Sequence, residues 1–182
     1  MANVKYLKTP LKDDDIKNLH VGDIVYISGT LITARDLTHR VIIKLLEEGK
    51  ISKDIFKGCV IYHAGPVVRR ENDKWHIVSI GPTTSIRMEK YIPRLLKLAN
   101  VKMIVGKGGL TRRVVPIFRD RVCAYGIFPG GCGIVAAIHV KEVIDVMFLE
   151  ELGIPEAMWI LRVENFGPIV ITVDCEGNIL GE

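Results

Sequence analysis

The chain has 182 residues, of which 48% are hydrophobic and 25% charged, which predicts one folded domain with a sizeable core and excludes general disorder. The net charge is +4, but the basic residues are scattered and only 7% of the chain is aromatic, so we expect no nucleic-acid binding. The N-terminal stretch lacks the apolar centre of a signal peptide, and no apolar run reaches the roughly 18–20 residues of a membrane helix. We therefore expect a cytoplasmic protein without a membrane partner. Its mild positive charge fits an anionic small substrate or an acidic partner.

The four cysteines predict no metal site within this chain. They stand far apart in the sequence, and no pair has C-x-x-C spacing. Isolated cysteines of this kind are most often small buried apolar residues. Cys132 has no histidine at a motif spacing, so the pattern does not favour a nucleophile there.

Hydrophobic periodicity and turn residues predict one α/β domain with a mixed sheet, in which residues 1–20 form an N-terminal arm and residues 21–182 the main domain. In chain order, the patterns first predict a short helix in the arm, a bent strand over 21–33 with a kink at Gly29, and an amphipathic helix over 34–50. An apolar strand over 58–65, a hairpin over 67–82 with its turn at 71–74, a helix over 88–100 and a strand over 101–106 follow. The last predicted elements are a short helix over 112–120, a strand over 121–128, a helix within 129–143, and strands and loops over 145–180.

Polar side chains follow the apolar runs at four places, each time in a glycine-rich or small-residue loop. These residues are Thr30, Thr33, Arg35, Asp36 and His39 after the first run, His63 after the second, Thr83, Thr84, Ser85 and Arg87 after the hairpin, and Lys107 after the next strand. In open α/β sheets, ligands bind outside the strand ends, so we expect these loops to converge. Two arginines, a lysine and several hydroxyls would suit a dicarboxylate, because arginine binds carboxylates with two parallel N–H bonds.

Each of these residues also has a purely structural interpretation. Thr83 or Thr84 could cap a helix, Arg35 and Asp36 could lie on a solvated first turn, and His39 and His63 could be buried structural histidines. "GKGG" lacks the Walker pattern, which makes a nucleotide P-loop improbable. The glycine loop 130–133 fits either close backbone packing or amide groups at a helix start.

The motifs "GTLITARDLTH", "YHAGP", "GPTTSIRM", "GKGG" and "PGGCGIVAA" occur in this order. Together they resemble the C-terminal domain of class I fumarases, a unit that is also the separate β subunit of two-subunit fumarases and L-tartrate dehydratases. The resemblance extends from about Thr9 to Asn178. It implies a swivelling β/β/α fold and an iron–sulfur hydro-lyase that interconverts (S)-malate and fumarate. It also implies a [4Fe–4S] cluster held by a partner α subunit rather than by this chain.

The resemblance also implies roles for individual residues. Arg35, Arg87 and Lys107 would bind the carboxylates of a C4 dicarboxylate, and Thr83 would be the base that takes the proton from C3 of malate. Asp36, His39, His63 and Thr84 would be supporting residues. Two alternatives stay open: the β subunit of an L-tartrate dehydratase, and a non-catalytic module that binds dicarboxylates.

Overall fold

The structure of the protein is a computed structural model, and residues 3–181 of it are described. The strands are β1 Val4–Lys8, β2 Ile24–Thr33, β3 Cys59–Tyr62, β4 Val67–Glu71, β5 Lys74–Ser79, β6 Val101–Gly106, β7 Ala124–Ile127, β8 Val140–Met147 and β9 Met158–Val173. The α-helices are α1 Asp13–Lys17, α2 Asp36–Glu47, α3 Ile92–Leu98, α4 Val115–Asp120, α5 Gly133–Ile138 and α6 Leu149–Leu152, and short 3₁₀ turns lie at Lys53–Phe56, Ser85–Arg87, Glu89–Tyr91 and Arg112–Val114.

The main sheet curls into a small barrel. Strands β2, β3, β6 and β7 are parallel neighbours, and the long strand β9 runs antiparallel to them. Because β9 pairs with β7 on one side and with β2 on the other, it closes the ring. Strand β1 extends the ladder beside β2, and β8 extends it beside β9. The predicted α/β class with a mixed sheet is thus confirmed, whereas a swivelling movement of the domain stays a prediction.

Two hydrophobic cores lie on opposite faces of the parallel strands. Strand β6 is buried at all six positions, as expected for a strand covered on both faces. One core contains Tyr62, Trp159 and Phe166 and fills the barrel side. The other packs the apolar faces of α2, α3 and α4 against the outer side of the same strands. The polar loops at the strand ends are therefore carried on a rigid support.

The sequence prediction for residues 129–143 was partly wrong. The predicted helix ends at Ile138, and Val140–Met147 is strand β8, which pairs antiparallel with β9. The small residues of "GIVAAI" favour a helix, but the following β-branched residues gain more from backbone pairing with a strand that lies far away in the sequence. The alternation of residues 169–173 predicts a strand near a sheet edge, but this part of β9 lies between β2 and β7.

The segment before residue 21 packs closely on the rest of the chain. Strand β1 pairs in parallel with β2, and Leu11, Ile16 and Leu19 are buried in the barrel-side core. The division of the chain at residue 20 stays a prediction.

Local signals predicted the hairpin β4–β5 well. Its strands pair antiparallel, and Asn72 and Asp73 take positive φ angles of 48° and 59° at the turn. Asparagine and aspartate tolerate this conformation, which two-residue hairpin turns require. Within residues 3–181, no helix has both the length and the apolar character needed to cross a bilayer.

Candidate active site

The predicted polar loops lie at the carboxyl ends of adjacent parallel strands. Strand β2 ends at Thr33, β3 at Tyr62 and β6 at Gly106, and each leads directly into a loop that carries candidate residues. Parallel neighbours bring their carboxyl ends to one edge of a sheet, where α/β proteins bind ligands. The predicted convergence of these three loops is observed.

The backbone draws the "GPTTSIRM" loop into the same edge. The Thr83 N–H donates to the His63 carbonyl over 2.7 Å, and the Lys107 N–H donates to the Thr83 carbonyl over 3.2 Å. The Ser85 N–H in turn donates to the Lys107 carbonyl over 3.0 Å, so that Thr84 and Lys107 form a short parallel bridge. Thr83, Thr84 and Lys107 are thus neighbours, although 24 positions separate Thr83 from Lys107 in the sequence.

The capping interpretation of the threonines does not hold. Residues Ser85–Arg87 form a single 3₁₀ turn, not the start of an α-helix. Thr84 precedes this turn and makes no capping hydrogen bond with its side chain. The fold uses Thr83 through its backbone N–H and carbonyl groups, and its half-buried hydroxyl has no hydrogen-bond partner among residues 3–181.

The three predicted cations differ in their surroundings. Arg87 and Lys107 are exposed and form no ion pair with any residue in the described part of the chain. Arg35, by contrast, is half-buried, and its Nε lies 3.3 Å from Oε1 of Glu156. Two of the cations are therefore available to an anion, and the third is held by an acidic side chain.

His39 and His63 form a buried pair behind these loops. Their ring centroids are 5.1 Å apart in an edge-to-face arrangement, and both side chains are fully buried. Nδ1 of His39 lies 2.6 Å from the Arg35 carbonyl, which can only accept, so this nitrogen carries the proton. Nδ1 of His63 lies 2.9 Å from the Ser85 hydroxyl. The Nε2 atoms of both rings are buried without a hydrogen-bond partner in the described residues.

Burial keeps both imidazoles neutral. It lowers the pKa of His39 from 6.5 to about 4. Burial, aided by the neighbouring His39, also lowers the pKa of His63 well below its ordinary value. The two neutral histidines therefore serve as buried structural contacts: His39 binds the Arg35 carbonyl, and His63 binds the Ser85 hydroxyl.

Asp36 makes its side-chain contacts with residues of another loop. Its carboxylate accepts a hydrogen bond of 2.9 Å from the Tyr91 hydroxyl and lies 3.9 Å from the Lys90 ammonium group. These contacts tie the start of α2 to the 3₁₀ turn at Glu89–Tyr91. Asp36 thereby fixes the relative position of two loop supports.

The glycine loop 130–133 is explained by close packing at its last residue. A Cβ added to Gly133 would lie 2.4 Å from the Ser79 hydroxyl oxygen and 3.0 Å from the Gly81 nitrogen, so no larger residue fits. The Ile80 N–H also donates to the Gly133 carbonyl over 2.9 Å. At the other end of the loop, a Cβ on Gly130 would lie 3.6 Å from Cδ of Lys107. The loop thus joins the "GPTTSIRM" and "GKGG" segments.

Three residues help to build this edge through contacts that the sequence did not indicate: Ser85, which was named only as a loop hydroxyl, and the acidic residues Glu89 and Glu156. The Ser85 hydroxyl binds His63, and the Glu89 carboxylate accepts bonds of 2.6 Å from both the backbone N–H and the hydroxyl of Thr111. Glu156 contacts Arg35 across 121 positions of sequence. Ser85 lay within a quoted motif, but no local signal pointed to Glu89 or Glu156, because their partners come from other loops.

The cysteines do not assemble into a metal site. Cys59, Cys123 and Cys175 are buried, and burial raises the pKa of each thiol. Within residues 3–181, the one group of three side chains close enough to share a cation is His20, Asp174 and Glu176, which contains no cysteine. Among residues 3–181, no three cysteines lie close enough to one another to share a metal ion.

The fold and the strand-end site define an α/β protein with a cationic, hydroxyl-bearing loop cluster. The Fumarase C-terminus family model matches residues 2–181, and the chain belongs to this family.

The chain is similar to several named proteins over nearly its whole length. It is 44% identical to the "Putative L(+)-tartrate dehydratase subunit beta" of Methanocaldococcus jannaschii, over 98% of this chain and 92% of that protein. It is 43% identical to the "L(+)-tartrate dehydratase subunit beta" of Escherichia coli, over 97% of this chain and 86% of that protein. It is 38% identical to the "Putative fumarate hydratase class I" of Geobacillus stearothermophilus, over 97% of this chain but 33% of that longer protein. The relatives are hydro-lyases or their β subunits, which confirms the family predicted from the sequence.

Proposed function

We propose that this chain is the β subunit of a two-subunit hydro-lyase that interconverts (S)-malate and fumarate. The observation that carries the proposal is the convergence of the Thr83 and Lys107 loops, joined by backbone hydrogen bonds, at the strand edge that also bears Arg35. The family membership and the names of the relatives support a hydro-lyase.

The reaction needs positive charge around a dicarboxylate. When malate loses water, the C3–H bond and the C2–O bond break, a C2=C3 double bond forms, and negative charge grows on the carboxylate next to C3. In the proposal, Arg35, Arg87 and Lys107 bind the two carboxylates and stabilise that growing charge. Exposed Arg87 and Lys107 form no ion pair with other residues in the range 3–181, which supports their assignment to an external anion.

Thr83 is the proposed base that accepts the C3 proton. A threonine hydroxyl is a weak base unless nearby cations stabilise its alkoxide. Thr83 shares a backbone hydrogen bond with Lys107 and lies four positions before Arg87, so two cationic residues flank it. Its hydroxyl has no hydrogen-bond partner in the described chain, which leaves it available to a substrate.

The proposal assigns the [4Fe–4S] cluster to the partner α subunit. The four cysteines lie far apart in the sequence and three of them are buried, which supports that division of the site. We further propose that the partner contacts helix α5, on which Ile134, Val135 and Ile138 are 69%, 46% and 65% exposed. A soluble domain rarely leaves such an apolar face uncovered, and α5 directly follows the glycine loop beside Lys107.

Anaerobic reconstitution tests the proposal. The chain alone should not turn over malate, and it should gain fumarate hydratase activity when it is combined with the cluster-bearing subunit encoded by the same organism. L-tartrate should be assayed in parallel, because the relatives at 43–44% identity are named as tartrate dehydratase subunits. If the enzyme turned over tartrate but not malate, the proposed substrate would be wrong, but the proposed class of enzyme, a hydro-lyase, would stand. A colourless chain that binds dicarboxylates without any partner would instead favour the non-catalytic module.

A further inference from the structure

Glu156 makes an ion pair with the candidate substrate-binding arginine that neither the sequence motifs nor the proposed mechanism includes. Its Oε1 lies 3.3 Å from Nε of Arg35, while its Oε2 accepts a hydrogen bond of 2.9 Å from the Leu37 N–H at the start of α2. The Pro155 carbonyl accepts a further hydrogen bond of 3.4 Å from Nη1 of Arg35. Two consecutive residues thus hold one guanidinium group.

These contacts occupy only part of the guanidinium group. Arginine has five N–H donors, and here Nε and one N–H of Nη1 have partners. Within residues 3–181, Nη2 and the second N–H of Nη1 have none. Those two nitrogens form the end of the guanidinium fork, and a carboxylate binds such an end with two parallel N–H bonds.

The turn that carries Glu156 is itself firmly anchored. The Thr38 hydroxyl accepts from the Arg35 N–H over 3.0 Å and donates to the Glu156 carbonyl over 2.6 Å. Nε1 of Trp159 donates to the Ile154 carbonyl over 3.0 Å. Glu156 is therefore attached both to the backbone of Arg35 and to the barrel, so it has a defined position relative to the guanidinium group.

Gly65 completes the enclosure of the Arg35 side chain. A Cβ at this position would lie 2.9 Å from Cδ of Arg35 and 2.2 Å from the Pro155 carbonyl oxygen. The arginine stem thus runs between the "YHAGP" loop and the 155–156 turn. With side-chain exposures of 29% for Arg35 and 18% for Glu156, the pair is shielded enough for the contact to restrict rotamers.

We propose that Glu156 is a positioning residue that orients Arg35 for carboxylate recognition. It occupies the Nε side of the guanidinium group and leaves the terminal edge available for the substrate. Its negative charge weakens the attraction for a dianion, and the proposal is that fixed orientation outweighs this loss. The inference rests on the proposed function, because it takes Arg35 to bind a substrate carboxylate.

The kinetic test uses the complete enzyme with variants of this chain. Glu156→Gln keeps an oxygen acceptor for the Leu37 N–H but removes the charge, whereas Glu156→Ala removes both. Glu151→Gln is the matched control, since Glu151 is exposed and forms no ion pair within the described residues. We expect Glu156→Ala to lower kcat/KM by about 10- to 100-fold, the range for a misplaced substrate contact. The loss should appear mainly as a raised KM, and Glu156→Gln should show a smaller change in the same direction.

A double-mutant cycle separates positioning from a general structural effect. If Glu156 acts through Arg35, then Glu156→Ala should cause little additional loss in an Arg35→Ala background. Losses that multiply in the double variant, or a Glu156→Ala enzyme as active as the Glu151→Gln control, would overturn the inference. Thermal unfolding of Glu156→Gln should match that of the control, which shows that the comparison is made between folded proteins.

A measurement without turnover keeps this inference distinct from the proposed function. In the ¹⁵N-labelled chain, the Arg35 Nε–H signal, assigned by its absence from Arg35→Lys, should shift in Glu156→Gln, because the carboxylate lies 3.3 Å from Nε, and should stay unchanged in Glu151→Gln. If the complete enzyme turned over neither malate nor tartrate, the proposed function would fail while this result could still stand. An Nε–H signal that is the same in the wild-type chain and in Glu156→Gln would instead refute the role of Glu156.

Discussion

Substitution of Gly106 by alanine should disrupt the support beneath the Thr83 and Lys107 loops. Gly106 ends strand β6 directly before Lys107, and a Cβ there would lie 1.8 Å from the Ser85 hydroxyl oxygen and 3.3 Å from Cβ of His63. The first distance is far inside van der Waals contact. Gly106 does not have a positive φ angle, so the conflict is one of space and not of backbone conformation.

The expected cost follows from what must move. To avoid the new methyl group, the Ser85 hydroxyl has to leave His63, and an unpaired buried group costs about 1–3 kcal/mol. The extra methyl group in a filled core destabilises the folded chain by about 1–3 kcal/mol more. In the opposite direction, alanine lowers the conformational entropy of the unfolded chain, which stabilises the folded state by about 0.4–1 kcal/mol. Together these effects lower the free energy of unfolding by about 1–6 kcal/mol, with a central value of about 3 kcal/mol. For a chain of this size, the central value corresponds to a drop in Tm of roughly 5–15 °C.

Thermal and urea unfolding of the purified chain measure this loss. Gly109→Ala is the control in the same loop, because a Cβ at Gly109 would meet nothing within 4 Å. That variant should unfold at or slightly above the wild-type temperature. Ser85→Ala removes the atom that obstructs the new methyl group, so the double variant with Gly106→Ala should lose less than the sum of the two single losses. A Gly106→Ala protein with wild-type Tm, or strictly additive losses, would refute the reasoning.

Three further predictions concern pH, catalysis and assembly. Burial lowers the pKa of His39 from 6.5 to about 4, so the stability that comes from keeping this imidazole neutral is fully present above pH 6.5 and is lost as the pH falls toward 4. In urea unfolding, the wild-type chain should therefore lose about 2 kcal/mol more stability between pH 7 and pH 5 than His39→Gln does. The same pH dependence in both proteins would contradict this prediction. Thr83→Val should lower kcat of the reconstituted enzyme by at least about 100-fold, the scale of general-base catalysis, while co-purification with the partner is retained; near-normal turnover would remove Thr83 from the role of base. Ile138→Lys should weaken binding of the partner, measured by sedimentation or pull-down, without lowering the Tm of the chain, and unchanged binding would place the interface elsewhere.

The positions in the sequence of the loops at the candidate site could be predicted because they depend on local signals. An apolar run that ends in glycine or a small polar residue marks the end of a buried strand, and parallel strands bring such ends together. This reasoning applies to the loops of Arg35, His63 and Lys107. The Thr83 loop follows the antiparallel hairpin strand β5 and is held at the same edge by backbone hydrogen bonds to His63 and Lys107. The hairpin turn at Asn72 was predictable for the same reason, since its conformation favours particular residues.

Features that depend on distant partners were the ones that sequence reasoning missed. Residues 140–143 continue a helical pattern in the sequence, yet they form part of strand β8 because their backbone pairs with β9. The Thr84 region fits a helix start, but the bridge to Lys107 holds it in a 3₁₀ turn. In both cases, pairing with another segment outweighs a local preference of at most about 1 kcal/mol per residue.

The contact between Arg35 and Glu156 shows how barrel closure and site construction are linked. Strand β9 closes the ring against β2, and at this seam the Trp159 N–H donates to the Thr33 hydroxyl over 3.0 Å. Glu156 lies three residues before Trp159, and Arg35 lies two residues after Thr33, so the register of this one strand pair decides whether the two side chains meet. A slip of one residue would turn the side chains of β9 to the opposite face and would also separate the acid from the arginine. The barrel seam is therefore part of the candidate site, although only its β2 side, with Thr33 and Arg35, belongs to a motif that indicated a ligand site.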